Sequence, residues 1–438
     1  MTRRLLHLFW PLAASSLLMA TAEALVSAGL ARVPGPEVAL AAFGAVLAVS
    51  LLIEAPVIPL LHAANALGGD AASRRLVFRF MLVVAAACGL LHAAVALTPL
   101  YAVVFGRWLG LPPLVVAAGR AGMACMIPWS PAIAWRRYYQ GILIRRGATR
   151  PVGIGTITRT VTAGIILVTG LTLWPQVGVA IGGLALALGV SAEAVFITFA
   201  ARLLGPPPDR AEPPRPLDLR RLLGFYVPLA LTSAVSFLGR SVAAAELARG
   251  ALPVASLAAW PVAYAALFLI QGPVAMTQQL VIAGPEGVDA RTLRRFTLGV
   301  GAVATAVVIA LLPGGLGLYF SAVIGVHGTV LSLALDALAV LAVLPLLTAM
   351  QQYWQGLLVR ARATWVVIGG SSANLVALTA VGFFAVTRLP WPGVDTVAAA
   401  TLVGFGAELA VLALAKGRAL RAGAAAGALL EAEAEIGA

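Results

Sequence analysis

Ten ionisable side chains stand inside stretches that are otherwise apolar: Glu23, Glu54, Arg120, Arg136, Arg137, Arg159, Glu193, Arg240, Asp336 and Glu408. A charge surrounded by hydrocarbon is costly, so each is a functional candidate and each calls for a partner. Arginine stays protonated and presents a planar fork of donors suited to carboxylate or phosphate. Arg136, Arg137 and Arg240, with the amides of Gln140, Gln352 and Gln355, therefore form the predicted substrate-binding set. A cavity lined by them would be net positive and would take an anionic solute. Glu23, Glu54, Arg120, Glu193, Asp336 and Glu408 are the predicted coupling or gating charges.

Competing readings exist for each group. Arg136 and Arg137, next to Tyr138 and Tyr139, could snorkel to an interface as anchors. Opposite charges, Glu23 with Arg120 and Arg240 with Asp336 within a lobe or else paired across the axis, could be structural ion pairs that lock helices. Glu54, His62 and Asn65, and likewise Gln271 and Gln278, could be interhelical hydrogen bonds. Cys88 and Cys125 give neither a disulfide framework nor zinc spacing, and no metal or cofactor is expected. Gly153-x-Gly155 lacks the strand and third glycine of a dinucleotide loop. A membrane enzyme would need clustered carboxylates or a histidine–acid pair, and the loop acids Asp70, Asp209, Glu212, Asp218, Glu286 and Asp289 are scattered.

The elements that hold these residues follow from composition. The 438 residues are 61% hydrophobic and 11% charged, too apolar for a soluble domain of that size. Twelve segments reach the roughly 20 apolar residues that cross a bilayer as helix. They fall near 8–31, 38–67, 77–105, 113–144, 151–173, 177–203, 222–247, 253–283, 294–320, 329–359, 364–386 and 396–417. The class is an all-α polytopic membrane protein. Proline lies inside spans 2, 4, 8 and 10, at Pro56, Pro59, Pro128, Pro131, Pro273 and Pro345, where freed carbonyls must face protein or a wet cavity. The first span, with Arg3 and Arg4 ahead of it and Ala20-Thr21-Ala22 near its end, resembles a signal peptide. Its Pro11-Leu12-Ala13 and Ser16 return as Pro228-Leu229-Ala230 and Ser233, so it is kept as part of the fold.

That return is general. Tyr138, Gln140, Gly141, Arg145 and Thr149 recur as Tyr353, Gln355, Gly356, Arg360 and Thr364. Leu30-Ala31-Arg32 recurs as Leu247-Ala248-Arg249, Leu40-Ala41-Ala42-Phe43 as Leu257-Ala258-Ala259-Trp260, and Ala192-Glu193 as Ala407-Glu408. The chain is a duplication: an N-lobe over 1–203, a proline-rich linker over 204–221, a C-lobe over 222–417 and a tail over 418–438, expected to fray. Placing the N-terminus in the cytoplasm puts about 21 loop arginines and lysines on that side and about 4 on the other. Both termini are then cytoplasmic and the six-span repeats run parallel. The +13 net charge reflects these loops rather than nucleic-acid binding. The expected setting is a multi-pass monomer in the inner (cytoplasmic) membrane.

The proline near the start of span 1 and the Leu-Ala-Ala-aromatic run opening span 2, both repeated, resemble the MATE-like multidrug/oligosaccharidyl-lipid/polysaccharide exporter superfamily. Ala134-Trp135, Gly141-Ile142-Leu143-Ile144 and Arg145 look most like its progressive ankylosis protein branch. The resemblance implies two six-helix bundles forming a V around a central cavity, working by alternating access. It implies a small-molecule or lipid-linked substrate, and in that branch small anions such as pyrophosphate or citrate. Drug-exporting relatives couple to protons or sodium through acidic residues in helix 1 and its neighbours. Glu23 and Glu193 fall in spans 1 and 6 without a flanking motif that matches. The expected function is a secondary transporter or flippase exporting an anionic solute, with a proton- or sodium-coupled multidrug antiporter as the alternative.

Overall fold

The structure is a computed structural model, and it describes residues 2–148, 150–205, 217–283, 290–360 and 364–436. The prolines of the linker therefore lie outside the described residues. Helices account for nearly all of it. The first repeat comprises α1 (Thr2–Leu30), α2 (Pro36–Glu54), α3 (Leu60–Leu67), α4 (Ala71–Leu97), α5 (Pro113–Cys125), α6 (Trp129–Arg145), α7 (Arg150–Leu173) and α8 (Gly178–Leu204). The second comprises α9 (Leu219–Arg249), α10 (Pro253–Ala283), α11 (Ala290–Leu311), the single turn α12 (Gly315–Leu318), α13 (Gly328–Val340), α14 (Leu344–Arg360), α15 (Thr364–Arg388) and α16 (Gly393–Ile436).

Prolines set some of the breaks. Pro56 falls in a 3₁₀ turn, Ala55–Val57, between α2 and α3, and Pro128 ends the turn between α5 and α6. Pro345 follows a second 3₁₀ turn, Leu341–Val343, that separates α13 from α14. Pro273 does not break its helix, and α10 runs through it and Pro261. Neighbouring helices can satisfy a carbonyl that proline frees. Asp70 caps α4 by accepting from the Ala72 and Ser73 amides at 2.9 and 2.8 Å, and Asp218 caps α9 from the Arg221 amide at 2.8 Å. The Ser73 hydroxyl and the two amides hold the Asp70 carboxyl below its ordinary range. The tail, expected to fray, continues α16 as far as Ile436, as its alanine-rich composition favours.

Ten segments among the described residues are long and apolar enough to cross a membrane. They match all the expected spans except the first and the fourth. Span 4 fails on length, because the Met126–Pro128 turn divides it and its second half carries Arg136 and Arg137. The chain is an all-helical, multi-pass membrane protein.

Within each repeat the fourth rod packs on the second and the sixth. The repeated Gln-Gly pair explains the first contact. A Cβ on Gly141 would lie 2.6 Å from the Leu61 carbonyl oxygen, and one on Gly356 would lie 2.7 Å from the Val281 side chain. Only glycine lets these helices approach so closely. Between the repeats, α1 packs on α10, and α2 packs on α9 and α10. At the start of α9, Tyr226 donates a hydrogen bond to the Pro56 carbonyl and stacks edge-on against Phe80.

Candidate functional site: a central cavity flanked by two carboxylate networks

The repeat is most legible in its polar bonds. In the first lobe Glu193, from α8, is fully buried; it accepts from Arg136 Nη1 at 2.7 Å and Gln140 Nε2 at 3.1 Å, both from α6. In the second lobe Glu408, from α16, accepts from Gln351 Nε2 and Gln355 Nε2, each at 2.7 Å, both from α14. Ser371 Oγ at 3.3 Å and Asn374 Nδ2 at 2.9 Å, from α15, complete its shell. The carboxylate and its amide or guanidinium partners thus occupy the matched positions that the sequence alignment gives. Arg159 stands where Asn374 stands in the second lobe. It lies with its guanidinium 5.8 Å from the Trp129 ring.

A further bond ties the second rod to the fourth in each lobe. Trp129 Nε1 donates to Glu54 Oε2 at 2.7 Å, and Gln271 Nε2 donates to Thr348 Oγ1. Gln278 Nε2 donates to Gln355 Oε1 at 3.1 Å. Glu54, Gln271 and Gln278 thus make the interhelical hydrogen bonds that one reading expected. Arg136 is 5% exposed and ion-paired, so it does not snorkel.

Between the lobes lies a cavity of about 380 Å³. Its charged lining residues are Glu23 from α1, Arg240 from α9 and Glu408 from α16. Gln351, Gln352, Gln355 and Asn374 supply amides, and Phe43, Trp260, Tyr264 and Phe405 supply aromatic faces. The Arg240 guanidinium sits 5.1 Å from the Tyr264 ring centroid, a cation–π distance. Glu23 accepts no hydrogen bond from a described residue, whereas Glu408 is ringed by donors.

The predicted binding set is therefore split. Arg240, Gln352 and Gln355 line the cavity, as do Glu23 and Glu408. Arg136, Arg137 and Gln140 lie outside that lining. Arg136 and Gln140 are turned to Glu193, and Arg137 sits among Glu54, Glu193 and Arg159. The predicted pairs Glu23–Arg120 and Arg240–Asp336 do not form. Arg120 is exposed with its guanidinium 5.8 Å from the Tyr101 ring, and Asp336 is exposed near Asp395. A shared depth in the bilayer does not fix the side of the helix, and both residues face outward from the bundle.

Sequence reasoning missed Asn374, Ser371 and Tyr264. Asn374 was available as the repeat partner of Arg159, and Tyr264 as the residue one helical turn after Trp260. Glu246 was missed too. It is fully buried on α9 against Gly382, with both oxygens unbonded among the described residues.

These features define a class: a helical membrane protein with internally repeated sequence and a polar cavity between its two halves. Comparison with solved structures narrows the class to the fold of MOP-superfamily transporters. An inward-facing multidrug-resistance MATE family transporter of that superfamily aligns with TM-score 0.69 at 16% identity, over 93% of this chain and 95% of its own. An outward-facing one aligns at 0.67 and 15%, over 94% and 95%. A MOP-superfamily transporter from Pyrococcus furiosus, described as having a binding pocket of reverse polarity, aligns at 0.65 and 14%, over 94% and 95%. No family model matches the sequence, and no curated protein matches it.

Proposed function

We propose that the chain is a secondary transporter that works by alternating access and carries an amphipathic organic cation through the central cavity. The observation that carries this reading is the cavity's lining: two carboxylates against one guanidinium, set among four aromatic side chains. Aromatic and acidic walls suit a hydrophobic cation. The anionic substrate expected from Arg136, Arg137 and Arg240 loses its premise, since of the three Arg240 alone lines the cavity. The likeness to the progressive ankylosis branch, which carried that expectation, loses force with it. A lipid-linked anion would need Arg240 to outweigh Glu23 and Glu408 in the same space.

Glu23 is the carboxylate we assign to coupling. Glu193 and Glu408 have their oxygens occupied by donors, and Glu54 holds Trp129. Glu23 faces the cavity with open lone pairs, able to exchange a proton or sodium ion for the substrate's positive charge. We further propose that α1 and the α5–α6 rod also cross the bilayer, giving twelve spans in a V of two lobes. The reading includes both termini in the cytoplasm, which the positive loops support, and a monomer in the inner membrane.

Proteoliposomes under an imposed proton or sodium gradient test this. A fluorescent organic cation should be moved by the parent protein, and Glu23→Gln should lower that flux at least tenfold. Citrate and pyrophosphate, run in parallel, should not be moved. Flux of the anions without flux of the cation would overturn the reading.

A further inference from the structure

The repeated Leu-Ala-Arg tripeptide sends neither of its arginines into the cavity lining. It closes α1 at Arg32 and α9 at Arg249, and each arginine reaches across to the opposite repeat. Arg32 Nη1 donates to the Ala28 carbonyl of its own helix at 2.6 Å and to the Ile324 carbonyl at 2.6 Å. Arg32 Nη2 donates to the Val323 carbonyl at 2.8 Å. Arg249 does the same in reverse. Its Nη1 donates to the Ala245 and Leu109 carbonyls, each at 2.7 Å, and its Nη2 to the Trp108 carbonyl at 2.8 Å.

The acceptors share a local cause. Spans 3 and 9 each finish in a π-helical stretch, Ala102–Trp108 and Tyr319–Ile324. The last carbonyls of a helix have no following turn to bond them. They also carry the negative end of the helix dipole, which favours a cation. Just past each stretch stands a glycine in the left-handed region, Gly110 at φ 71° and Gly325 at φ 91°. A Cβ on either would press on the arriving guanidinium, at 3.0 Å from Arg249 Cζ and 3.2 Å from Arg32 Cζ. The same joint is thus built twice, at the end of the molecule where α1 and α9 finish. Each copy needs the arginine fork, because one side chain must serve three carbonyls.

We propose that Arg32 and Arg249 are a matched pair of latches that hold the two lobes together at this end, and that both release when the cavity opens there. The proposal rests on the alternating-access reading. Lysine, a single point of charge, could hold only part of each joint. The acceptors are carbonyls and do not titrate, so the latches hold equally across neutral and mildly acidic pH.

The test is the distance between lobes. Nitroxide labels at Leu173→Cys and Trp391→Cys, exposed positions near this end of the two repeats, are read by pulsed electron paramagnetic resonance. Cys88 and Cys125 are replaced by alanine in the parent. Arg32→Gln with Arg249→Gln should raise the long-distance population about tenfold, the scale of one or two net hydrogen bonds. Each single variant should give a smaller and equal rise, and Arg→Lys should fall between single variant and parent. If the double variant does not fold, the singles decide, since each must open the end by itself. Unchanged distances, or an effect confined to one arginine, would overturn the proposal. Opening without any transport of the cation would instead count against the functional reading and leave the latches standing.

Discussion

Replacing Glu193 and replacing Arg136 should have very different costs, although the two form one ion pair. Glu193→Gln leaves the Arg136 guanidinium, 5% exposed, without its counter-charge, beside Arg137 and Arg159. Removing one partner of a buried pair costs about 3–5 kcal/mol. Arg136→Gln does something gentler. The second lobe already carries glutamine at this position: Gln351 Nε2 reaches Glu408 at 2.7 Å from the matching turn of α14. A glutamine introduced in place of Arg136 would have the same reach to Glu193, which also keeps Gln140 at 3.1 Å. One hydrogen bond to a charged group replaces an ion pair, and the change should cost about 1–2 kcal/mol. The double variant, with both charges gone, should recover part of what Glu193→Gln alone loses. Melting of the detergent-solubilised protein, followed by intrinsic tryptophan fluorescence, gives the order. Parent should be highest, then Arg136→Gln, then the double variant, with Glu193→Gln lowest. If Arg136→Gln melts at or below Glu193→Gln, the lobes are not interchangeable at this position and the argument from the repeat fails.

Two smaller perturbations test the framework around the site. Gly141→Ala should destabilise by about 1–3 kcal/mol, because its Cβ meets the Leu61 backbone and α3 and α6 must separate. Gly153→Ala, with open space around it, is the matched control and should be neutral or stabilising on the same melting assay. Asp70→Ala removes the cap of α4 and should cost about 1 kcal/mol. The Asp70 carboxyl is held below its ordinary value in the folded state, so its contribution is complete above pH ~4. It is lost as pH falls through the lowered folded-state value. The stability gap between parent and Asp70→Ala should narrow below pH ~4, and a gap that widens on acidification would exclude the cap.

The membrane class and the duplication were legible in the residues themselves. Hydrocarbon must be matched by apolar length, and a duplicated chain keeps its marks at fixed spacing. Glu193 could be aligned with Glu408, and Gln140 with Gln355, before any coordinate; that each glutamate bonds the glutamine of its own half is seen only in the structure. What the sequence could not supply was the side of each helix that meets the cavity. One residue is a rotation of about 100° around a helix, so Arg136 and Arg137, adjacent in the chain, share no face. Nor could the sequence tell a short-range partner from a distant one. Arg32 and Arg249 look like ordinary loop arginines until the fold brings them against carbonyls some 291 and 140 residues away. Charge at a given depth follows from counting along helices. Whether that charge enters the cavity, locks a helix pair or faces lipid depends on helix rotation and neighbours, which only tertiary packing sets.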